Sequence, residues 1–225
     1  MMDVIASWSG GKDSCFACYK ALRQGYRVKY LLNFISRESK RCCFHALEGK
    51  LLRSQAELTG IPFVQKEVSS DMKVYEQEFK QAVSELKSKG IKGMVFGNVY
   101  LDERRSWVER ICGDLEIKPI EPLWGTPPDK VVEEFIDLGF KAVVIASCVA
   151  KKLGEEFIGK LIDKDFIKEL KKREICPCGE NGEFHTLVVG GPMFEKEIKI
   201  TKSEKILKEG FWKYWFLDIQ KYKSV

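Results

Sequence analysis

Residues 4–24 read VIASWSGGKDSCFACYKALRQ: a short apolar run, a glycine-rich turn and a segment with apolar residues at helical spacing. The run at residues 4–7 predicts a buried strand, and the segment from about residue 14 to residue 24 predicts a helix. The turn between them, residues 9–14, is therefore expected where a strand ends and a helix begins. Backbone N–H groups in such a turn can converge on a phosphate, and the helix N-terminus adds partial positive charge.

The side chains of this turn suit a bound nucleotide phosphate. The turn consists of Ser9, Gly10, Gly11, Lys12, Asp13 and Ser14. The two serines supply hydroxyl donors, and Lys12 supplies a positive charge. Because a carboxylate repels phosphate, we expect Asp13 to bind a Mg²⁺ ion that the phosphates share. A capped turn without a ligand is the alternative interpretation.

Beyond this turn, predicted strands alternate with predicted helices. Further strands are predicted at residues 28–34, 61–68, 94–96 and 117–120, with helices at residues 44–58, 75–87 and 105–112. Such alternation requires crossover connections, and these join the strands of a parallel sheet. We therefore predict an α/β fold with a mainly parallel sheet that helices cover on both faces.

The alternation ends near residues 124–128, WGTPP, which are the best candidate for a domain boundary. This boundary predicts domains at residues 1–125 and 126–225. The second domain has helical patterns at residues 131–138 and 165–173, an apolar strand at residues 140–146, a glycine-rich segment at residues 178–192 and strand-like sequence after it. We predict a smaller α+β domain there.

Composition excludes several classes of protein. Of the 225 residues, 44% are hydrophobic and 32% are charged, which excludes a disordered or collagen-like chain. The longest apolar run, residues 142–150, is shorter than the roughly 20 residues of a membrane span, and the sequence MMDV does not begin like a signal peptide. We therefore expect a cytoplasmic protein that does not bind a membrane. The net charge of +5 comes from scattered residues, so a nucleic-acid partner is not predicted.

The eight cysteines predict reduced thiols rather than a disulfide framework. Cys15 and Cys18 have the C-x2-C spacing of metal ligands, and Cys176 and Cys178 flank a proline. No second C-x2-C pair completes a four-ligand zinc site.

Three ordered motifs resemble those of one enzyme family. The turn SGGKDS at residues 9–14 resembles the pyrophosphate-binding loop of the N-type ATP pyrophosphatases, which cleave ATP between the α and β phosphates. Residues 97–105, GNVYLDERR, which lead to residues 122–125, PLWG, resemble a segment of the diphthine–ammonia ligases and their relatives. Residues 178–186, CGENGEFHT, match that family's second signature, C-G-E-x-G-E-aromatic-x-T.

This resemblance implies an adenine-nucleotide α-hydrolase-like fold, with ATP and Mg²⁺ as cofactors. It also implies a ligase reaction in which diphthine on elongation factor 2, ammonia and ATP give diphthamide, AMP and pyrophosphate. The first domain would bind ATP, and the second would bind the acceptor substrate. The implied partners are elongation factor 2 carrying diphthine, and ammonia. A homo-oligomer is compatible with the sequence.

Chemistry assigns candidate roles within these motifs. Transfer of AMP to a carboxylate builds negative charge at phosphorus, which Lys12 and either Arg104 or Arg105 can offset. The incoming amine must lose protons, and Glu180, Glu183 or His185 can accept one. The expected catalytic residues are Lys12, Asp13, Glu180 and Glu183.

The part of the site that binds the acceptor is expected to contain aromatic residues, because aromatic faces and carboxylates bind the quaternary ammonium of diphthine best. Tyr100, Trp124 and Phe184 are the aromatic candidates. The expected substrate-binding residues are Asn98, Tyr100, Arg104, Arg105, Trp124, Phe184 and His185. The alternatives are core packing of the aromatics, a turn shaped by the glycines of the signature, a structural hydrogen bond by His185, and a metal site formed by Glu180, Glu183 and His185.

Two other functions use the same loop. An RNA-modifying enzyme of the tRNA thiolase type would need a cysteine pair with a low pKa, for which Cys15 with Cys18, or Cys176 with Cys178, are the candidates. A non-catalytic nucleotide-binding protein would keep the loop without turnover, although the retained Lys12 and Asp13 disfavour that interpretation.

Overall fold

The structure, a computed structural model, describes residues 1–42, 47–209 and 213–225. The chain divides into two compact units, Met1–Gly125 and Thr126–Val225. None of the helices in these ranges is both long enough and apolar enough to cross a membrane.

The first unit is built around a parallel sheet. Its elements are β1 (Asp3–Ser7), α1 (Lys12–Arg23), β2 (Arg27–Ser36), α2 (Gly49–Glu57), β3 (Phe63–Val68), α3 (Met72–Lys87), β4 (Gly93–Val95), α4 (Asp102–Asp114) and β5 (Lys118–Ile120). The five strands run parallel in the order β3-β2-β1-β4-β5. Because such crossovers are right-handed, α1 and α2 cover one face and α3 and α4 cover the other. The predicted α/β class is confirmed.

Several helix boundaries differ from the prediction, among them the start of α4, which lies at Asp102 rather than at residue 105. The described part of the helix predicted at residues 44–58 begins at Gly49, and residues 44–46 lie outside the described residues. Helix α3 begins at Met72 rather than at residue 75. Its start is fixed by Asp71, whose side chain accepts hydrogen bonds from the backbone N–H groups of Lys73 and Val74, and sequence periodicity does not register such a cap.

The strand order places a topological switch point between β1 and β4. From β1 the chain moves outward through β2 to β3, then returns to β4 on the other side of β1 and continues to β5. Ala6 of β1 aligns with Val95 of β4, so the carboxyl ends of the two strands lie side by side. Open α/β sheets bind ligands at such a point, because the loops that leave the two strands diverge and form a crevice.

One face of this sheet is held by an aromatic cluster. The ring of Phe79, which is 2% exposed, lies 5.1 Å from that of Phe34 and 5.2 Å from that of Trp107, measured between centroids. Phe79 lies on α3, Phe34 on β2 and Trp107 on α4. The cluster therefore ties two helices to the strands beneath them.

The second unit contains an antiparallel sheet and confirms the predicted α+β class. Its elements are α5 (Pro128–Asp137), β6 (Lys141–Cys148), one-turn helices at Val149–Lys151 and Glu155–Phe157, α6 (Lys164–Lys172), β7 (Phe184–Gly190), β8 (Ile198–Glu209) and β9 (Lys213–Ser224). The strand order is β7-β6-β9-β8. Strand β7 begins inside the glycine-rich segment at residues 178–192, and β8 and β9 pair with each other along nearly their whole length.

The aromatic cluster gives a stability prediction. Replacing Phe79 by alanine should lower the free energy of unfolding by about 3–5 kcal/mol, because a large ring leaves a cavity that the packed core only partly fills. Val74 lies on the same helix but is 38% exposed, so Val74→Ala should change stability by less than about 0.5 kcal/mol. Urea denaturation followed by far-UV circular dichroism measures both. A Phe79→Ala loss no larger than the Val74→Ala loss would contradict the packing.

Candidate functional site

The turn at residues 9–14 forms a closed loop of hydroxyl and backbone hydrogen bonds. The Ser9 hydroxyl lies 3.0 Å from the Ser14 hydroxyl and accepts a hydrogen bond from the backbone N–H of Gly11 at 3.3 Å. The Ser14 hydroxyl donates to the carbonyl oxygen of Gly11 at 3.0 Å. Helix α1 then begins at Lys12, and the residue before it, Gly11, has no side chain that can cap the helix. The first turn of α1 is therefore left open to an anion.

Two glycines allow the close approaches that shape this loop. Gly10 has a φ of +77°, and a Cβ there would lie 2.4 Å from Cδ2 of Leu52. Gly97, in the loop after β4, would place a Cβ 2.7 Å from the carbonyl carbon of Asp13. The loops that follow β1 and β4 thus touch each other at the switch point, where the α/β fold is expected to bind its ligand.

Buried amides support the loop from beneath, and sequence reasoning missed them. Gln55, which is fully buried on α2, donates from Nε2 to the carbonyl oxygen of Gly10 at 2.8 Å. Its Oε1 accepts a hydrogen bond from the indole N–H of Trp8 at 3.0 Å. Asn33, 1% exposed, donates to the carbonyl oxygen of Trp8 at 2.7 Å and accepts from Gln65 at 3.0 Å. The sequence feature that could have identified Gln55 is its position on the apolar face of a predicted helix, beside Leu52.

Lys12 and Asp13 form the charged part of the loop. The Lys12 ammonium, on a residue only 4% exposed, lies 2.8 Å from Oδ2 of Asp13. The other carboxylate oxygen, Oδ1, is buried and has no hydrogen-bond partner among the described residues. A buried carboxylate oxygen without a partner is costly, and a bound cation removes that cost.

These residues fit a Mg²⁺ ion that takes most of its ligands from a bound nucleotide. Within the described ranges, no group of three His, Cys, Asp or Glu side chains could hold a metal ion without help. Mg²⁺ in nucleotide sites is commonly held by one or two carboxylates together with phosphate oxygens and water. Asp13 supplies one such carboxylate.

A second polar cluster follows the carboxyl ends of β4 and β5. Asn98 donates from Nδ2 to Oε1 of Glu121 at 2.8 Å. Burial raises the pKa of the Glu121 carboxyl, whereas the hydrogen bond from Asn98 and the charge of Arg105 act in the opposite direction. Glu121 was not predicted as a site residue, because it stands alone after a short strand and carries no motif.

Arg105 and Trp124 belong to the same cluster. The guanidinium of Arg105 lies 4.7 Å from the centre of a Trp124 ring, and its Nε donates to Oε1 of Glu109 at 2.8 Å. One face of Trp124 therefore already holds a cation. Tyr100 is half-buried and Arg104 is exposed, both beside this cluster in the chain. The structure thus brings together Asn98, Arg105 and Trp124 of the predicted substrate-binding residues.

The signature at residues 178–186 forms a tight turn in the second unit. Glu180 and Glu183 are each 6% exposed. Oε1 of Glu183 accepts from the side chain of Asn181 at 3.2 Å, while its Oε2 is buried and has no partner in the described part of the chain. Tyr214 donates its hydroxyl to the carbonyl oxygen of Gly182 at 2.8 Å. Burial, a hydrogen bond with Cys148 and the charge of Glu183 together raise the pKa of Tyr214 to about 12, so its hydroxyl stays protonated near neutral pH.

Phe184 and His185 take different positions at the start of β7. Phe184 is 2% exposed and packs edge-on against Phe166 at 5.4 Å between centroids, so its ring fills the core of the second unit. The ring of His185 is half-buried and stacks on Tyr214 at 6.3 Å. Glu180, Glu183 and His185 are not among the side-chain groups that could hold a metal, since no such group occurs in the residues described.

The cysteine pairs differ in their surroundings. Cys15 and Cys18 are fully buried on α1, and burial raises the pKa of Cys15 well above its usual value and that of Cys18 to about 12. Cys178 is buried and donates to the carbonyl oxygen of Pro128 at 3.1 Å, whereas Cys176 is half-buried. Cys43 lies outside the described residues.

Known proteins resemble both units of the chain. Residues 2–119 match the model of the diphthamide synthase N-terminal domain, and residues 127–225 match that of the diphthamide synthase C-terminal domain. Among individual relatives, the diphthine–ammonia ligase of Mus musculus is 25% identical over 92% of this chain and 85% of its own length. The diphthine–ammonia ligase of Schizosaccharomyces pombe is 26% identical over 91% of this chain and 37% of its own length.

One solved structure, described as a predicted subunit of a tRNA methyltransferase from Methanocaldococcus jannaschii, is 20% identical with a TM-score of 0.47. That match covers 85% of this chain and 98% of the other. The two diphthamide synthase models follow one another along the sequence and leave only residue 1 and residues 120–126 unmatched. The chain therefore belongs to the diphthamide synthase family.

Proposed function

We propose that this protein is an ATP-dependent ligase that forms a C–N bond and releases AMP and pyrophosphate. Its acceptor is diphthine on elongation factor 2, and its nitrogen donor is ammonia. Membership of the diphthamide synthase family supports this proposal, as do the relatives named diphthine–ammonia ligase that align with most of the chain. An acceptor of this kind also makes the cytoplasm the place of action.

The observation that carries the proposal is the loop at residues 9–14. It lies at the switch point of the sheet, opens a helix and contains a carboxylate oxygen, Oδ1 of Asp13, that is buried without a partner among the described residues. The loop would hold the β and γ phosphates of ATP through backbone N–H groups, the two serine hydroxyls and Lys12. The first unit would therefore bind the nucleotide.

A carboxylate needs activation before ammonia can attack it. In the proposed reaction, a carboxylate oxygen of diphthine forms a bond with the α phosphorus of ATP, and the bond from that phosphorus to pyrophosphate breaks. Ammonia then attacks the carbonyl carbon, and AMP leaves with the oxygen that came from the carboxylate. One proton of the attacking nitrogen is lost to a base, and the product is the amide.

Different residues of this chain would act in the different steps of this reaction. Lys12 would offset the charge that builds on the phosphates. Mg²⁺ held by Asp13 would neutralise phosphate charge when it is bound. Glu183 would accept the ammonia proton, since its Oε2 has no hydrogen-bond partner in the described ranges, with Glu180 as the neighbouring carboxylate.

Trp124 and Tyr100 are the proposed aromatic contacts for the trimethylammonium group. Trp124 already lies against the guanidinium of Arg105, so the substrate cation would use the free part of the ring or replace that guanidinium. Asn98 donates a hydrogen bond to Glu121, and the positive charge of Arg105 lowers the pKa of the same carboxyl. Both residues would therefore line the part of the site that binds the trimethylammonium group. Phe184 would serve as packing, because its ring is enclosed in the core.

The cysteines do not favour a thiolase. A sulfur carrier needs an accessible thiolate, whereas Cys15 and Cys18 are buried and their raised pKa values keep them protonated. Cys178 is likewise enclosed.

Product analysis tests the proposed reaction. With ATP, Mg²⁺, ammonium and elongation factor 2 carrying diphthine, the protein should release AMP and pyrophosphate in equal amounts, one of each per amide formed. If the diphthine carboxylate is labelled with ¹⁸O, the label should appear in AMP. Elongation factor with an unmodified histidine is the control and should yield no AMP. Release of ADP and phosphate, or AMP without label, would contradict the mechanism.

A second prediction concerns the metal. Asp13→Asn should lower kcat by about 100-fold or more, because a charge-neutralising metal contributes several kcal/mol to the transition state. It should also raise the Mg²⁺ concentration needed for half-maximal rate. The asparagine oxygen can still accept from Lys12, so the melting temperature should change little.

Asp114→Asn is the matched control, since Asp114 makes only exposed ion pairs with Lys80 and Arg110. Its rate and Mg²⁺ requirement should equal those of the wild type. An Asp13→Asn variant with an unchanged Mg²⁺ requirement would remove Asp13 from the metal site.

A further inference from the structure

A half-buried carboxylate follows the last strand of the first unit. Strands β4 and β5 end side by side, with Val95 aligned with Ile120, so Glu121 is the first residue beyond this edge of the sheet. Asn98, in the loop after β4, fixes Oε1 of Glu121 by a hydrogen bond at 2.8 Å. The other oxygen, Oε2, makes no hydrogen bond within the described part of the chain and is open to solvent. Glu121 therefore keeps one carboxylate oxygen available to a ligand.

An aromatic ring and a cation lie beside this carboxylate. Residues 121–124 form a turn in which the backbone N–H of Trp124 donates to the carbonyl oxygen of Glu121 at 3.1 Å. The guanidinium of Arg105 lies 4.7 Å from the centre of a Trp124 ring. Burial raises the pKa of the Glu121 carboxyl, whereas the hydrogen bond from Asn98 and the charge of Arg105 act against that rise. The position of the guanidinium therefore combines an aromatic face with the field of a carboxylate, and this combination attracts cations.

Arg105 is held at this position by weak contacts. Its Nε donates to Oε1 of Glu109 at 2.8 Å, and the two side chains are 41% and 53% exposed. Among the described residues, no ion pair joins Arg105 to Glu121. Water and salt screen an exposed ion pair, and a cation–π contact that faces solvent is also weak. Another cation can therefore replace the guanidinium on the ring, while Arg105 stays paired with Glu109.

This cluster adjoins the loop that would hold the nucleotide. Asn98 directly follows Gly97, where a Cβ would lie 2.7 Å from the carbonyl carbon of Asp13. An acceptor whose carboxylate is to meet the α phosphorus must lie beside that loop. Its quaternary ammonium has no N–H to donate, so aromatic faces and carboxylate charge must hold it. Trp124 and Glu121 supply both.

We propose that Glu121 and Trp124 bind the trimethylammonium group of the acceptor, and that Arg105 occupies this site until the acceptor replaces it. This inference rests on the proposed function, which supplies the acceptor. Glu121 is then a specificity-determining residue, because its charge favours a fixed cation over a neutral group of the same shape. Arg105 is an internal competitor, which lowers the apparent affinity by the fraction of molecules whose ring it leaves uncovered.

Choline and 3,3-dimethylbutanol, which share a shape but differ in charge, test this site without ATP or a protein acceptor. NMR spectra of protein labelled with ¹⁵N-tryptophan report each indole N–H, and the signal of Trp124 is the one that Trp124→Phe removes. That signal should shift with choline and not with 3,3-dimethylbutanol at equal concentration and ionic strength. The signal of Trp8, which is 1% exposed, shows that each variant stays folded. No response to choline, or an equal response to both compounds, would overturn the site.

Two substitutions should change the affinity for choline in opposite directions. Glu121→Gln keeps an oxygen for Asn98 but removes the charge, so it should weaken choline binding by at least about fivefold. Arg105→Met removes the internal competitor and should tighten choline binding by at least about threefold. The controls, Glu85→Gln and Arg110→Met, remove the same charges from exposed ion pairs of the first unit and should bind choline as the wild type does.

The choline titration and the ligase reaction can fail independently. With diphthine-bearing elongation factor 2, Glu121→Gln should raise the KM for the factor and leave the KM for ATP within about twofold. Wild-type protein that binds choline as expected but releases no AMP would contradict the proposed function alone. AMP release together with an unchanged choline affinity of Glu121→Gln would overturn the site and leave the reaction standing. Weaker choline binding by Arg105→Met would overturn the role of Arg105 as competitor.

Discussion

The hydrogen bond from Gln55 to the carbonyl oxygen of Gly10 holds the proposed phosphate-binding loop, residues 9–14, in place. Gly10 has a left-handed backbone conformation, and its carbonyl is turned away from the ligand side toward the buried amide of α2. With that carbonyl engaged, the N–H groups of the loop can face an anion. The indole N–H of Trp8 donates to Oε1 of the same amide. Hydrogen bonds of Gln55 therefore connect helix α2 both to the loop and to the residue that follows strand β1. The loop that follows β4 closes on the same support through Gly97.

Each of the two units contains a motif with a buried carboxylate oxygen that has no hydrogen-bond partner among the described residues. In the first, Lys12 is buried, and Oδ1 of the partly exposed Asp13 is buried without a hydrogen-bond partner in the described residues, which favours a cation and phosphates. In the second, Oε2 of Glu183 is likewise buried without a hydrogen-bond partner in the described residues. The charge of Glu183 acts on Tyr214, whose raised pKa of about 12 keeps its hydroxyl protonated. A buried polar group without a hydrogen-bond partner lowers the stability of the folded protein. One such oxygen lies in the loop at residues 9–14 and one in the signature at residues 178–186, and we propose that a ligand at each site removes this cost.

The sequence is sufficient for the fold class and for the position of the turn at residues 9–14 between a strand and a helix, because both depend on local patterns. Strand and helix periodicity on either side of SGGKDS predicts the parallel sheet, whereas the binding roles of the six loop residues stay predictions. Gln55 and Glu121 were missed because their roles arise from contacts across the sheet, 45 and 23 residues away in the chain. Phe184 was predicted to contact substrate, but a motif does not reveal which way a ring points.

Binding of magnesium pyrophosphate to a Gln55→Leu variant tests the supported loop most directly. Leucine keeps most of the buried volume but leaves the Gly10 carbonyl and the Trp8 indole without partners, which costs about 1–3 kcal/mol for each group. Isothermal titration should show a loss of pyrophosphate affinity of at least about tenfold, equivalent to about 1.4 kcal/mol. Gln81→Leu, at an exposed position on α3, should bind as the wild type does. Equal affinity of folded Gln55→Leu and wild-type protein would contradict the account.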